Sequence, residues 1–146
     1  MKPEDMWESY CKSDNLSSKV YEAWAFGNKP DKLAELVMKG VKTATSSLYI
    51  LYEIEQEALP EEGSYSVILD SREDAKCIIK TTRVYVVPFN KVSDAHAYRE
   101  GEGDRSLAYW RAVHKEFFSD CLKQKGLSLD ETMDVVCEEF EIVYTQ

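Results

Sequence analysis

The run Ile78-Ile79-Lys80-Thr81-Thr82-Arg83-Val84-Tyr85-Val86-Val87 constrains this chain more than any other stretch. Side chains branched at Cβ are stiff and pack well on a pleated surface, so a run this rich in them predicts a long strand. It is expected over Cys77 to Val87, ending at Pro88, which has no amide hydrogen for a ladder. A long strand needs partners. Tyr65 to Leu69 supplies one, joined through the polar turn Asp70 to Asp74, and Val135 to Tyr144 supplies another. In the latter, Val135, Cys137, Glu139, Glu141 and Val143 share one face, against Val136, Phe140, Ile142 and Tyr144. That alternation predicts one buried and one acidic side.

Helical patterns fill the remainder. Pro3-Glu4-Asp5 is a helix start, with Met6, Trp7, Tyr10 and Cys11 on the apolar side. Ser17 and Ser18 are N-caps for an expected second helix carrying Val20, Ala23 and Trp24 and stopped at Gly27. After the turn Asn28-Lys29-Pro30, Asp31 caps a third, with Leu33, Leu36 and Val37 at helical spacing. Leu48 to Ala58 reads as a helix, broken by Leu59-Pro60-Glu61-Glu62-Gly63. Ser106 to Lys125 reads as another, with Leu107, Trp110, His114, Phe117 and Cys121 as its stripe. Helices, a few strands, a helix and a final strand make an α+β chain, expected as a single domain over 1–146 with N-terminal helices over about 1–39.

Charge and cysteine usage narrow the function. A net charge of −9 opposes sequence-independent duplex binding, which needs a broad cationic surface, but leaves room for a local nucleotide pocket. Cys11, Cys77, Cys121 and Cys137 form no Cys-x-x-Cys pair, and with only His96 and His114 beside them no zinc site is expected. They are expected as reduced thiols. The acidic N-terminus and the lack of a membrane-length apolar run lead to the expectation of a soluble cytoplasmic protein without cofactor.

Against this acidic background stands Gly40-Val41-Lys42-Thr43-Ala44-Thr45-Ser46-Ser47, a lysine followed by hydroxyl side chains. Gly40 sits where a helix ends, because a left-handed residue costs glycine little. If Thr43 to Ser46 is extended, Thr43 and Thr45 share one face while Lys42 and Ala44 share the other. If it is a tight turn, Lys42 and Thr45 converge. A lysine near a threonine hydroxyl can activate it for attack on an acyl carbon, and a carboxylate can orient that lysine or protonate a leaving amine. Glu100 and Glu102 are the candidate carboxylates. Tyr49 and Tyr109 are candidates for base stacking, and Lys42 or Arg105 for a phosphate contact. His114 lies in an apolar stripe and reads as packing, whereas His96 suits either packing or a ligand contact. Gly101-Glu102-Gly103 reads as a flexible acidic loop. No Walker loop, Gly-x-Ser-x-Gly elbow or His-Glu-x-x-His motif is present.

The motif Gly40-x-Lys42-x-x-Thr45, followed by His96-Ala97-x-x-Glu100-Gly101-Glu102-Gly103-Asp104-x-Ser106-Leu107-x-Tyr109-Trp110-Arg111, resembles the ASCH domain of the PUA-like superfamily, in particular its bacterial stand-alone subgroup. The resemblance implies a small β-barrel flanked by several helices, with a cleft holding the Gly-x-Lys motif. It also implies an RNA-related role. In the amidohydrolase branch, which removes the acyl group from N(4)-acetylcytidine, the triad corresponds to Lys42, Thr45 and Glu100. In a ribonuclease-like, metal-independent branch, a serine matching Ser106 contributes. An RNA-binding regulatory module using the same cleft is the third alternative. The partner expected is a modified nucleoside or short single-stranded RNA, with no membrane and no non-specific duplex DNA.

Overall fold

The computed structural model describes residues 1–16 and 20–145. In chain order the elements are α1 (Pro3–Ser13), β1 (Tyr21–Ala25), α2 (Pro30–Met38), β2 (Ala44–Leu48), α3 (Tyr49–Glu55), β3 (Tyr65–Leu69), β4 (Ala75–Pro88), a 3-10 turn (Phe89–Lys91), α4 (Asp94–Glu100), α5 (Leu107–Lys123) and β5 (Asp134–Thr145). The strands form one five-stranded sheet in the order β1-β3-β4-β5-β2. Only the β1–β3 ladder is parallel; the others are antiparallel. Register shifts at Ile68/Leu69, Ile78/Ile79 and Thr81/Arg83 bend the strands and deepen their twist, so the sheet curls into a half-barrel. This is the expected α+β, PUA-like architecture, with β1 and β2 as the sheet's edges.

Three apolar clusters fix the helices to that sheet. Trp110, Phe118 and Leu122 of α5 pack with Phe89, Leu48, Val135 and Cys137. Leu33, Ala34 and Val37 of α2 pack with Phe26, Ile68, Cys77, Ile79 and Phe140. Met6, Trp7 and Tyr10 of α1 pack with Tyr65, Val67 and Ile78. Fully burying side chains of this size is worth about 1.5–3 kcal/mol each, and these contacts position the helices. All four cysteines are free. No described helix is long and apolar enough to cross a membrane.

The structure corrects four expectations. The segment read as a second helix is strand β1, so the described residues of the first 39 hold two helices and a strand; the proposed caps Ser17 and Ser18 lie outside the described residues. The helix expected over Leu48 to Ala58 is only Tyr49–Glu55, because Leu48 closes β2 and Gln56 turns left-handed at φ 56°. In β5, Val135 to Glu138 are buried on both faces, because the strand runs between β4 and β2 with packing on either side. Asp31 does not cap α2. It accepts from the amide and hydroxyl of Ser71, at 2.7 and 2.9 Å, and so ties the helix start to the β3–β4 turn.

Candidate functional site

Lys42 is delivered by the end of α2. Gly40 has φ +76°, its amide donates to Val37 O, and the amides of Val41 and Lys42 both donate to Leu36 O. This left-handed closure reverses the chain and points it into β2. The segment that follows is extended, the first of the two geometries considered. Alternation therefore sets Lys42, Ala44 and Ser46 apart from Thr43 and Thr45.

Glu100 is delivered by α4, where Ser93 caps the first turn by accepting from the His96 amide and Gly101 ends the last at φ +73°. A Cβ on Gly101 would lie 2.5 Å from Val41 O, so only glycine lets this turn touch the loop before Lys42. Two further bonds hold the pieces together. Thr43 N donates to Arg99 O at 2.7 Å, and the Arg105 guanidinium donates to Val41 O at 3.3 Å.

Where they meet, Lys42 Nζ lies 3.0 Å from Glu100 Oε1 and 3.2 Å from Glu102 Oε2, with the Phe26 ring 5.2 Å away. Lys42 and Glu100 are each 1% exposed. The second oxygen of Glu100 accepts from Ser46 Oγ and from the Trp110 indole, with His96 Nε2 at 3.2 Å and His114 Nε2 at 3.5 Å. Ser46 has one proton, which it gives to Glu100, so His96 Nε2, 2.6 Å from that hydroxyl, donates to it. His96 Nδ1 is buried with no hydrogen-bond partner among the described residues. His114 stacks on Trp110 at 4.3 Å, and its Nδ1 donates to Trp110 O.

The charges follow from this wiring. Burial alone would raise the Glu100 carboxyl, but Lys42 and then His114 hold it well below the usual carboxylate range. Burial would likewise depress His114, yet the Glu100 charge and hydrogen bond raise it on balance. Glu100, Glu102 and His114 place ligand-type atoms within 4.8 Å of one another, an arrangement suited to a cation. The Lys42 ammonium already bridges the two carboxylates, so the cluster is built around an internal cation.

The cluster forms part of the wall of a cleft of about 1020 Å³ lined by both edge strands of the sheet and by α5. Of the residues singled out in the sequence, Lys42, Thr45, Glu100 and Glu102 line it. Thr45 makes no side-chain hydrogen bond among the described residues, and the hydroxyl joined to Glu100 is that of Ser46. The extended alternation around Lys42 was the signal that would have selected Ser46. His96 is fully buried behind it. The others are placed elsewhere. Ser106 caps α5 by accepting from the Tyr109 amide. Arg105 stacks over the Tyr98 ring at 3.6 Å and braces Tyr98 O and Val41 O. Tyr109 packs against Gly103, where a Cβ would lie 2.4 Å from the ring. Tyr49 opens α3 and does not line the cleft. Sequence reasoning missed Ser46, Trp110 and Glu138, and it assigned His114 to packing alone.

The ASCH domain family matches residues 22–144. The chain belongs to that family. An ASCH domain from Lactobacillus crispatus JV V101 is 31% identical, with a TM-score of 0.89 over 97% of this chain and 93% of that one. A protein from Enterococcus faecalis V583 is 36% identical, with the same TM-score of 0.89 over 96% of this chain and 86% of its own. An ASCH protein from Zymomonas mobilis shares the fold, at 12% identity and a TM-score of 0.51 over 85% of this chain and 71% of that one. No curated protein matches the sequence. Within the ASCH fold, the Gly-x-Lys loop and the glycine-rich acidic loop are thus the two segments that meet at the cleft.

Proposed function

We propose that this cleft hydrolyses the amide on the exocyclic amine of N(4)-acetylcytidine or a related acylated nucleoside. The observation that carries the proposal is the charge of the cleft. Its described lining includes Glu22, Glu57, Glu61, Glu100 and Glu102, while among the described residues Lys42 is its only lysine or arginine and is already paired. A phosphate backbone would meet uncompensated negative charge here. A nucleoside brings an apolar base, a neutral sugar and an amide. Membership of the ASCH family supports the RNA-related context, and the Lys42–Glu100 contact supports the charged pair that the family resemblance assigns.

In this mechanism Thr45 Oγ1 attacks the acyl carbon and a C–O bond forms. Lys42 takes the threonine proton as it passes one of its own to Glu102, whose side chain is 14% exposed against 2% for Glu100. The C–N bond then breaks and Glu102 protonates the departing nitrogen. Water attacks the threonyl ester, releasing the acyl group as a carboxylic acid and restoring the hydroxyl. Glu100, fixed on every side, stays an anion and orients Lys42. Thr45 and Lys42 line the same cleft from opposite faces of the extended segment, so this proton transfer requires the unbonded Thr45 hydroxyl to turn towards Lys42 when substrate binds.

Incubating the protein with N(4)-acetylcytidine and separating the products tests this. Cytidine release that disappears in Lys42→Ala and Thr45→Ala is expected, and release no greater than that of Lys42→Ala overturns the proposal. Binding without turnover is the second reading, favoured by the unbonded Thr45. A titration that saturates with no product distinguishes it. Ribonuclease chemistry through Ser106 gains no support, since that hydroxyl is committed to a helix cap.

A further inference from the structure

Glu138 lies on the cleft wall, outside the lysine cluster, and is only 7% exposed. Its Oε2 accepts from Thr81 Oγ1 at 2.7 Å, while Oε1 has no hydrogen-bond partner and no cation pairs with it among the described residues. One oxygen of this carboxyl is pinned by Thr81, and the other is left for a ligand in the cleft to complete. Thr45 stands directly opposite it in the β2–β5 register. Facing residues of an antiparallel pair lie roughly 4.5–5.5 Å apart. A ligand edge held on Glu138 is therefore presented beside the Thr45 hydroxyl.

Resting on the acylated-nucleoside reading, we propose that Glu138 recognises the base, taking an edge on which an acceptor ring nitrogen lies next to an N–H donor. Thr81 fixes Oε2 as the acceptor side, so Oε1 carries the donor, and together they match the ring nitrogen and amide N–H of an acylated aminopyrimidine. Burial raises the Glu138 carboxyl, the Thr81 bond opposes that rise and the Glu22 charge adds to it, which suits a neutral, donating form. Tyr52 of α3 adds to the polar lining on this side, its hydroxyl 2.7 Å from Ser47 Oγ. Trp24 and Phe26, packed edge to face with centroids 5.0 Å apart, also line the cleft and offer apolar contact for a base. The lysine cluster acts on the amide, and Glu138 selects which amide reaches it.

Calorimetric titration of the full chain with cytidine, the product of the proposed reaction, tests the assignment. Glu138→Ala is expected to weaken binding by roughly tenfold or more, the effect of leaving a recognition hydrogen bond unmade. Glu138→Gln, which keeps a donor beside an acceptor, is expected to stay within about threefold. A comparison on the unaltered protein removes any dependence on folding of a variant: N(4),N(4)-dimethylcytidine lacks the N–H and is expected to bind as weakly as cytidine binds Glu138→Ala. Equal binding of the two nucleosides, with N(4)-acetylcytidine still hydrolysed, overturns the role of Glu138 and leaves the hydrolase reading standing. Neither cytidine binding nor hydrolysis of N(4)-acetylcytidine overturns both.

Discussion

Two buried glutamates in this molecule have opposite surroundings. Glu100 is met by an ammonium, a hydroxyl, an indole and two imidazoles, whereas Glu138 is met by one threonine hydroxyl. Removing a charge from water costs several kcal/mol, and the two sites handle that cost differently. At Glu100 the fold supplies every partner, so the carboxylate is pinned as an anion. At Glu138 the fold supplies half, and the group is held towards its neutral form. A saturated carboxylate anchors structure and orients its neighbours; an unsaturated one is available to a ligand.

Truncating the saturated site is expected to have the largest effect. Glu100→Leu should cost about 3–5 kcal/mol in urea unfolding, because Lys42 and His114 lose a counter-ion inside the protein. Glu138→Leu should be neutral or stabilising by about 1 kcal/mol, since it removes a buried polar group with a single partner. Equal losses in the two variants would break the comparison. Next in size, Trp110→Phe keeps the ring but removes one donor to Glu100, and should cost about 1–3 kcal/mol.

The pH dependence of stability sharpens the contrast. Glu100 is lowered from 4.5, so its contribution is present above that value and lost as pH falls through its depressed folded one. His114 is raised from 6.5, so its contribution is complete below that value and lost as pH rises through the folded one. The Glu100–His114 pair should therefore stabilise most between pH 4.5 and 6.5. Glu138, raised from 4.5, makes folding less favourable as pH climbs through its own transition. Thermal melts of Glu138→Gln should lose that last slope and keep the rest. A melt profile unchanged by the substitution would show that Glu138 titrates alike in both states. Smaller again, Thr81→Val should shift stability by about 1 kcal/mol or less, since it removes one hydrogen bond from the half-satisfied group.

The parts of the fold visible in the sequence were those with a strong local signal. Tyr65–Leu69 and the β-branched run appear where expected, and the turn at Gly40 follows from its φ. β1 was hidden because a short edge strand with one partner need not alternate, and Tyr21 to Ala25 alternates poorly in burial. Lys42 and Glu100 were singled out by their motif, but their partners come from elements far apart in sequence. Choosing Ser46 over Thr45 as the partner of Glu100 required knowing that the segment is extended. Glu138 was hidden by its neighbours: in a run of acids, nothing local separates a solvated glutamate from one turned inward. Arg105 and Ser106 offered groups suited to a ligand, and backbone contacts claim both.

The contact between Gly101 and Val41 also says something about when the site comes into being. The bonds that dock the Lys42 loop against Glu100, Arg99 and Arg105 join residues 56 to 64 positions apart, and none lies within a single helix or hairpin. Closing such loops is entropically costly before the contacts repay it, so these links belong to the slow, non-local part of folding. The Thr43 amide, donated to Arg99 O, reports on that step. In native-state hydrogen exchange it should open together with the Lys42–Glu100 link, independently of the fraying of α2. A chain trapped before the two loops dock would carry helices and strands but no assembled charge cluster, and the protection of a single amide would mark its completion.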